Sequence, residues 1–274
     1  MDSTTHLTHG ILAEGDPNSI TVLRYRLTPW AVAPAARNGA HTPEDALRRH
    51  LELLDRWGFT LITLSDCRLF LRGEIHLPRK PVVLTFDDGP PDLYRKLLNV
   101  FHEFGGRAVV FVMSGFAQRE DESAKSPLEA YREGLQALVE SGIEIGSLTC
   151  TGRPLPSLPP ELAAHELTES KALLENILEA PVYSCAYPHD TVTPEIKKLV
   201  IKAGYDFAVG GEDAPAIFGT DLYEIGRRGV TSTMGPLRLA VKVFGPGDRI
   251  KRIRQKSLAP LGPVPDAIKI PVNS

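Results

Sequence analysis

The sequence predicts an α/β fold, a distorted (β/α) barrel, from two patterns. Short β-rich runs alternate with helical patterns from one end of the chain to the other, as in a largely parallel sheet. Successive units differ in length and no fixed-period repeat joins them, which suits a distorted barrel better than a solenoid. Size agrees, since 274 residues with 42% hydrophobic and 24% charged content can bury one large core.

Each element follows from local chemistry. Ile20 to Tyr25 reads as the first strand. In Thr42-Pro43-Glu44-Asp45 a capping threonine precedes a proline suited to the first helical position and an acid at the third. Leu47, Leu51 and Leu54 then share one helix face, and Gly58 stops it. Leu61 to Leu64 is the next expected strand. After Pro81, Val82-Val83-Leu84-Thr85-Phe86 is apolar without alternation, as in a strand covered on both faces, and it ends in Asp87-Asp88-Gly89-Pro90. Tyr94, Leu97, Leu98 and Phe101 have helical spacing and lead to Gly105-Gly106, a stop signal. Ala108 to Met113 supplies a strand, and Ser126-Pro127-Leu128-Glu129 is a capping box. It opens a helix with Leu128, Tyr131, Leu135 and Leu138 inward and Gly142 at its end.

Ile143 to Ile145 starts a short strand that leads into a loop from Gly146 to Ser157. An amphipathic helix is expected from Glu161 to Glu179, a strand at Val182 to Ala186, a helix from Pro194 to Ala203 and a strand at Phe207 to Val209. Leu222 to Ile225 reads as one more strand. The expected organisation is a tail at 1–19, a barrel domain at 20–245 with a strand-helix-strand preface, and an extension at 246–274. In that extension Arg249, Lys251, Arg252, Arg254 and Lys256 precede Pro260, Pro263, Pro265 and Pro271, a pattern that ordinarily makes a solvated face and an irregular end.

Composition excludes several classes of function. The formal net charge of −3 supplies no field for nucleic acid or an anionic membrane. Cys67, Cys150 and Cys185 are odd in number, far apart and without a CxxC pair, so neither a disulfide framework nor a zinc ribbon is indicated. No stretch approaches eighteen uninterrupted apolar residues and no export signal is visible, so a cytoplasmic protein without a membrane span is expected.

Chemistry concentrates at Asp87-Asp88. Two carboxylates at the end of a buried strand lie where α/β folds place ligands, and adjacent acids there can divide metal binding from proton transfer. A solvated strand-to-helix turn would use the same residue types. Neighbouring motifs shift the balance. Val82 to Pro90 resembles the first motif of the polysaccharide deacetylases of the NodB-homology group, carbohydrate esterase family 4. In the same order, Ser141 to Ser147 resembles the approach to the second motif and Leu167 to Lys171 the helix after it. Ser184-Cys185-Ala186-Tyr187-Pro188 is similar to the third, Ala203 to Asp206 to the end of the following helix, and Arg227 to Val230 to the fourth. The strand-helix-strand preface is similar to that of the poly-N-acetylglucosamine deacetylase branch.

The resemblance implies amide hydrolysis of an N-acetylated carbohydrate. A divalent metal, zinc or similar, polarises the carbonyl while a carboxylate takes a proton from water. It puts the base at Asp87 and one metal ligand at Asp88. It also calls for two histidines spaced H-x3-H, and those positions hold Leu148 and Gly152. Neither residue can donate to a metal, so tight binding at the family site is not expected. The preface has Tyr25-Arg26 where the family usually has Tyr-His; the third motif has Ala186 where arginine is frequent, as the branch with this preface often does. Pro188 is followed by His189-Asp190. His189, Asp190 and Cys150 are the residues from which a site could be rebuilt, with Tyr187, Pro188 and Arg227 lining it. The remaining histidines read as solvent-facing or structurally satisfied.

Three functions follow from this pattern. The first is a catalytically impaired homologue that keeps a carbohydrate-type cleft. The second is an active hydrolase of non-peptide carbon-nitrogen bonds with relocated ligands. The third is a non-catalytic partner or scaffold in a polysaccharide-modifying system.

Overall fold

The computed structural model describes residues 20–26, 43–87, 98–115, 127–210 and 221–244. The expected tail at 1–19 and extension at 246–274 lie outside the described residues. So do Asp88 and, from the helix expected after it, Tyr94 and Leu97; residues 98–103 are helical.

The strands β1 (Thr21–Arg26), β2 (Thr60–Ile62), β3 (Pro81–Asp87), β4 (Ala108–Val112), β5 (Ile143–Ser147), β6 (Ser184–Ala186), β7 (Phe207–Val209) and β8 (Arg228–Val230) form one eight-stranded sheet. The order is β7-β6-β5-β4-β3-β1-β8, and every pairing is parallel. On one edge of β3, β2 pairs through Val83 and β4 takes over from Thr85, while β1 runs along the other edge. The ring closes through backbone bonds from β7 to the segment before β8, including Gly210 N–H to the Ile225 carbonyl at 2.9 Å. This is the expected barrel, with helices outside it.

Period-two alternation sorts the strands into two cores. Leu23, Leu84, Phe86, Val110 and Ile145 face outward and pack under helices α1 (Pro43–Arg56), α3 (Pro127–Glu140), α4 (Pro160–Leu178) and α5 (Pro194–Lys202). Val22, Val83, Val109, Phe111, Leu148 and Val209 face the barrel interior. Arg24, Thr85, Asp87 and Arg227 are buried with them and supply the polar end.

Two helices that the sequence reading missed matter here. The expected strand at Leu61 to Leu64 stops at Ile62, and α2 (Leu64–Leu71) begins under a capping box made by Thr63 and Asp66. It crosses the end where strands begin, where Arg68 pairs with Asp206 at 2.6 Å and Asp66 pairs with Arg107. Glu144 points into the barrel from β5 and accepts the Ser65 N–H at 2.7 Å, near the start of α2. The second, α6 (Pro236–Phe244), buries Leu239 and Val243. Two other boundaries move: Gly146 and Ser147 belong to β5, and the last strand is β8, with Leu222 to Ile225 reduced to one bridge at Ile225.

Candidate functional site

The mouth is built where β3, β5, β6 and the segment before β8 end. Asp87 is the last residue of β3 and lies on its inward face. Ile225 is interior, and two residues later Arg227 points the same way. Arg227 is only 1% exposed, yet its guanidinium has strong partners. Nη1 and Nη2 donate to the two carboxylate oxygens of Asp87 at 2.6 and 2.7 Å, a bidentate geometry. Nη1 also reaches Thr85 Oγ1 at 3.2 Å, and that hydroxyl donates to the Leu23 carbonyl at 2.9 Å. The guanidinium carbon lies 5.6 Å from the centre of the Phe111 ring.

Asp190 continues the ionic chain. One carboxylate oxygen accepts from Arg227 Nη2 at 3.3 Å and the other pairs with Arg24 from β1. The resulting row Arg24, Asp190, Arg227, Asp87 alternates in sign, which offsets the cost of burying each charge alone. A short turn delivers Asp190: the Asp190 N–H donates to the Tyr187 carbonyl at 3.0 Å, and the Thr191 N–H to Pro188 at 3.3 Å. His189 and Asp190 both adopt left-handed backbone, with φ of 55° and 56°. Side chains tolerate that region poorly, so the turn needs its carboxylate contacts.

A cavity of about 70 Å³ opens at this end, lined by Asp87, Leu148, Gly152, Tyr187, Pro188, His189 and Asp190. The fold therefore gathers the described site candidates other than Cys150 into one place, with Arg227 directly behind Asp87. His189 is exposed at the rim. The Tyr187 phenol donates to the Tyr223 carbonyl at 2.7 Å, and burial pushes its pKa up, so it holds its proton. Cys150 is half-buried outside the lining, near the Glu166 carbonyl at 3.5 Å, and burial raises its pKa too. His50 is buried; His76, His102 and His165 are exposed. Arg24 and Met113 were not among the sequence candidates. The alternation Val22-Arg24 was the available signal for the former, since it puts an arginine on the interior face.

Residues 74–208 match the family model for polysaccharide deacetylase. Over this span the chain carries a polysaccharide deacetylase domain. The matched span contains every residue lining the cavity, whereas Arg24 and Arg227 come from outside it. The polysaccharide deacetylase homologue YxkH of Bacillus subtilis (strain 168) is 25% identical over 197 residues, 72% of this chain and 68% of that one. The deacetylase PplD of Streptococcus pyogenes, solved with acetate, superimposes with a TM-score of 0.67 at 18% identity, covering 82% of this chain and 97% of the other. IcaB from Ammonifex degensii gives 0.63 at 24% identity, covering 84% and 99%. These two likenesses establish the NodB-type fold.

Deacetylases of this family generally use a divalent metal, and the described residues of the mouth do not fit one. Leu148 and Gly152 present no donor atom. Both oxygens of Asp87 are engaged by Arg227, and those of Asp190 by Arg227 and Arg24. Among the described residues no group of three or more histidine, cysteine, aspartate or glutamate side chains is placed to hold a metal ion.

Proposed function

We propose that this chain is a catalytically impaired polysaccharide deacetylase homologue that retains a cleft for N-acetylated carbohydrate. One observation carries the reading: Leu148 and Gly152 line the cavity beside Asp87 at the two positions where the family resemblance calls for histidine. Without a Lewis acid the amide carbonyl loses stabilisation of several kcal/mol, or ~10³-fold in rate. Each Asp87 oxygen keeps a lone pair beyond the one given to Arg227, so the carboxylate can still accept a hydrogen bond at the cleft.

The test joins elemental analysis of the purified chain with acetate release from N-acetylglucosamine oligomers. Substoichiometric metal and no release above background are expected, together with measurable oligomer binding. Metal-dependent turnover would overturn impairment. Turnover that disappears in His189→Ala would instead favour an active hydrolase with relocated ligands, a reading supported by the rim position of His189 in the same cavity as Asp87.

A further inference from the structure

The metal position is altered in shape as well as in chemistry. Gly152 has φ of +71°, and a Cβ built on it would lie 2.5 Å from Met113 Sδ and 3.4 Å from Met113 Cγ. No carbon and sulfur atom approach so closely, so any side chain at 152 must first displace the thioether. Leu148 is 3% exposed and packs in the interior cluster that Met113 also joins. The two apolar side chains thus flank the space where the resemblance would put two imidazoles.

The backbone around this contact has little room to relax. Leu148 N–H donates to the Val112 carbonyl at 2.8 Å, Ser114 N–H to Thr149 at 3.1 Å, and Gly115 N–H to Cys150 at 2.9 Å. Thr151 is held by Glu166 through its N–H at 2.8 Å and its hydroxyl at 2.7 Å. The Gly152 N–H donates to Thr149 Oγ1 at 3.1 Å, and the Met113 carbonyl accepts from the Tyr131 hydroxyl at 2.9 Å. With both strands of the contact pinned, relief has to come from rotation of Met113 itself. Methionine can rotate, but Met113, partly buried, gives up its packing against the interior cluster when it does.

We propose that Met113 is a third determinant of the missing metal site: its thioether occupies the space that a ligand at position 152 requires, so restoring donors alone leaves the site closed. The idea rests on the impaired reading above, and it makes the loss a repacking in which a donorless leucine, a side-chain-free glycine and a methionine fit one another. Removing the Met113 side chain should therefore open the position to histidine.

The experiment uses the full chain and Co²⁺ as the probe, read by its visible absorption spectrum and by titration calorimetry. Leu148→His/Gly152→His is compared with Leu148→His/Gly152→His/Met113→Ala. The triple variant should bind Co²⁺ more tightly by about tenfold or more, the scale of relieved overpacking. Equal affinities, or no binding by either variant, overturn the role of Met113. Stoichiometric Co²⁺ binding by the unaltered chain overturns the impaired reading instead, and leaves the comparison between the two variants standing. A stability cycle covers the case in which the histidine variants fail to fold. Gly152→Ala should cost less stability in a Met113→Ala background than in the unaltered one. The left-handed strain at 152 is common to both backgrounds, so additive costs would exclude the steric contact.

Discussion

Arg227 and Asp87 form the contact at the mouth with the sharpest energetic consequence. Both are buried and share two short hydrogen bonds, so deleting one partner strands a charge in the barrel interior. Arg227→Met should cost about 3–5 kcal/mol in urea unfolding, and Asp87→Leu/Arg227→Met distinctly less, since Arg24 and Asp190 remain paired with each other. If the double variant is as unstable as the single one, the pair is not the unit that matters. Legibility at this scale divides by range. Leu148 and Gly152 could be read because the resemblance to a local family motif, H-x3-H, defines the positions they fill. Alternation could place Arg24 on the interior face, but the roles of Arg24 and Met113 were not legible, because each depends on a residue distant in the chain: Asp190 for the arginine, Gly152 for the methionine.

Elements were legible where a continuous pattern carried them. The unbroken apolar run of β3 and the long amphipathic face of α4 required no tertiary information. Helix α2 was hidden because Leu61 to Leu64 looks like a strand, and only the Thr63–Asp66 capping pair marks the change. Helix α6 was hidden because Leu237, Leu239, Val241 and Val243 alternate as in a strand, although only Leu239 and Val243 are buried. Its approach is tied to α1 by His50, whose Nε2–H donates to the Met234 carbonyl at 2.9 Å. Nδ1 faces the Tyr25 hydroxyl at 3.4 Å, which can donate to the neutral ring. Burial lowers its pKa from the usual 6.5, with Arg49 adding to the shift and the Met234 bond opposing it. The unfolded chain then binds more protons than the folded one below that ordinary value. Stability from this site is full above about pH 6.5 and is lost as pH falls through the depressed folded pKa. Melting between about pH 7.5 and 5.5 should show a steeper loss for the unaltered chain than for His50→Gln, which keeps a donor for Met234. Parallel profiles would remove His50 from the account.

At the scale of the whole molecule, the barrel links its waist to its mouth through one aromatic ring. Gly146 pairs with Phe111 across β5 and β4, and a Cβ on Gly146 would drive into the Phe111 ring and come within 2.9 Å of Ser184 Oγ. The absent side chain is thus what lets Phe111 fill the interior below Arg227. The general barrel was legible because alternation and order survive without knowing any contact. This dependence was not, since a glycine in a strand carries no sign of which ring replaces its side chain, and the sequence predicts a loop starting at Gly146. Gly146→Ala should cost about 1–3 kcal/mol, the usual range for overpacking an ordered core. The damage should extend to the mouth, because a displaced Phe111 ring presses on the guanidinium that holds Asp87. Phe111→Ala removes the ring atoms that collide, at the loss of its own packing, so Gly146→Ala should cost less in that background than in the unaltered chain. Equal costs in the two backgrounds, measured by urea unfolding, would show that the ring does not transmit the strain.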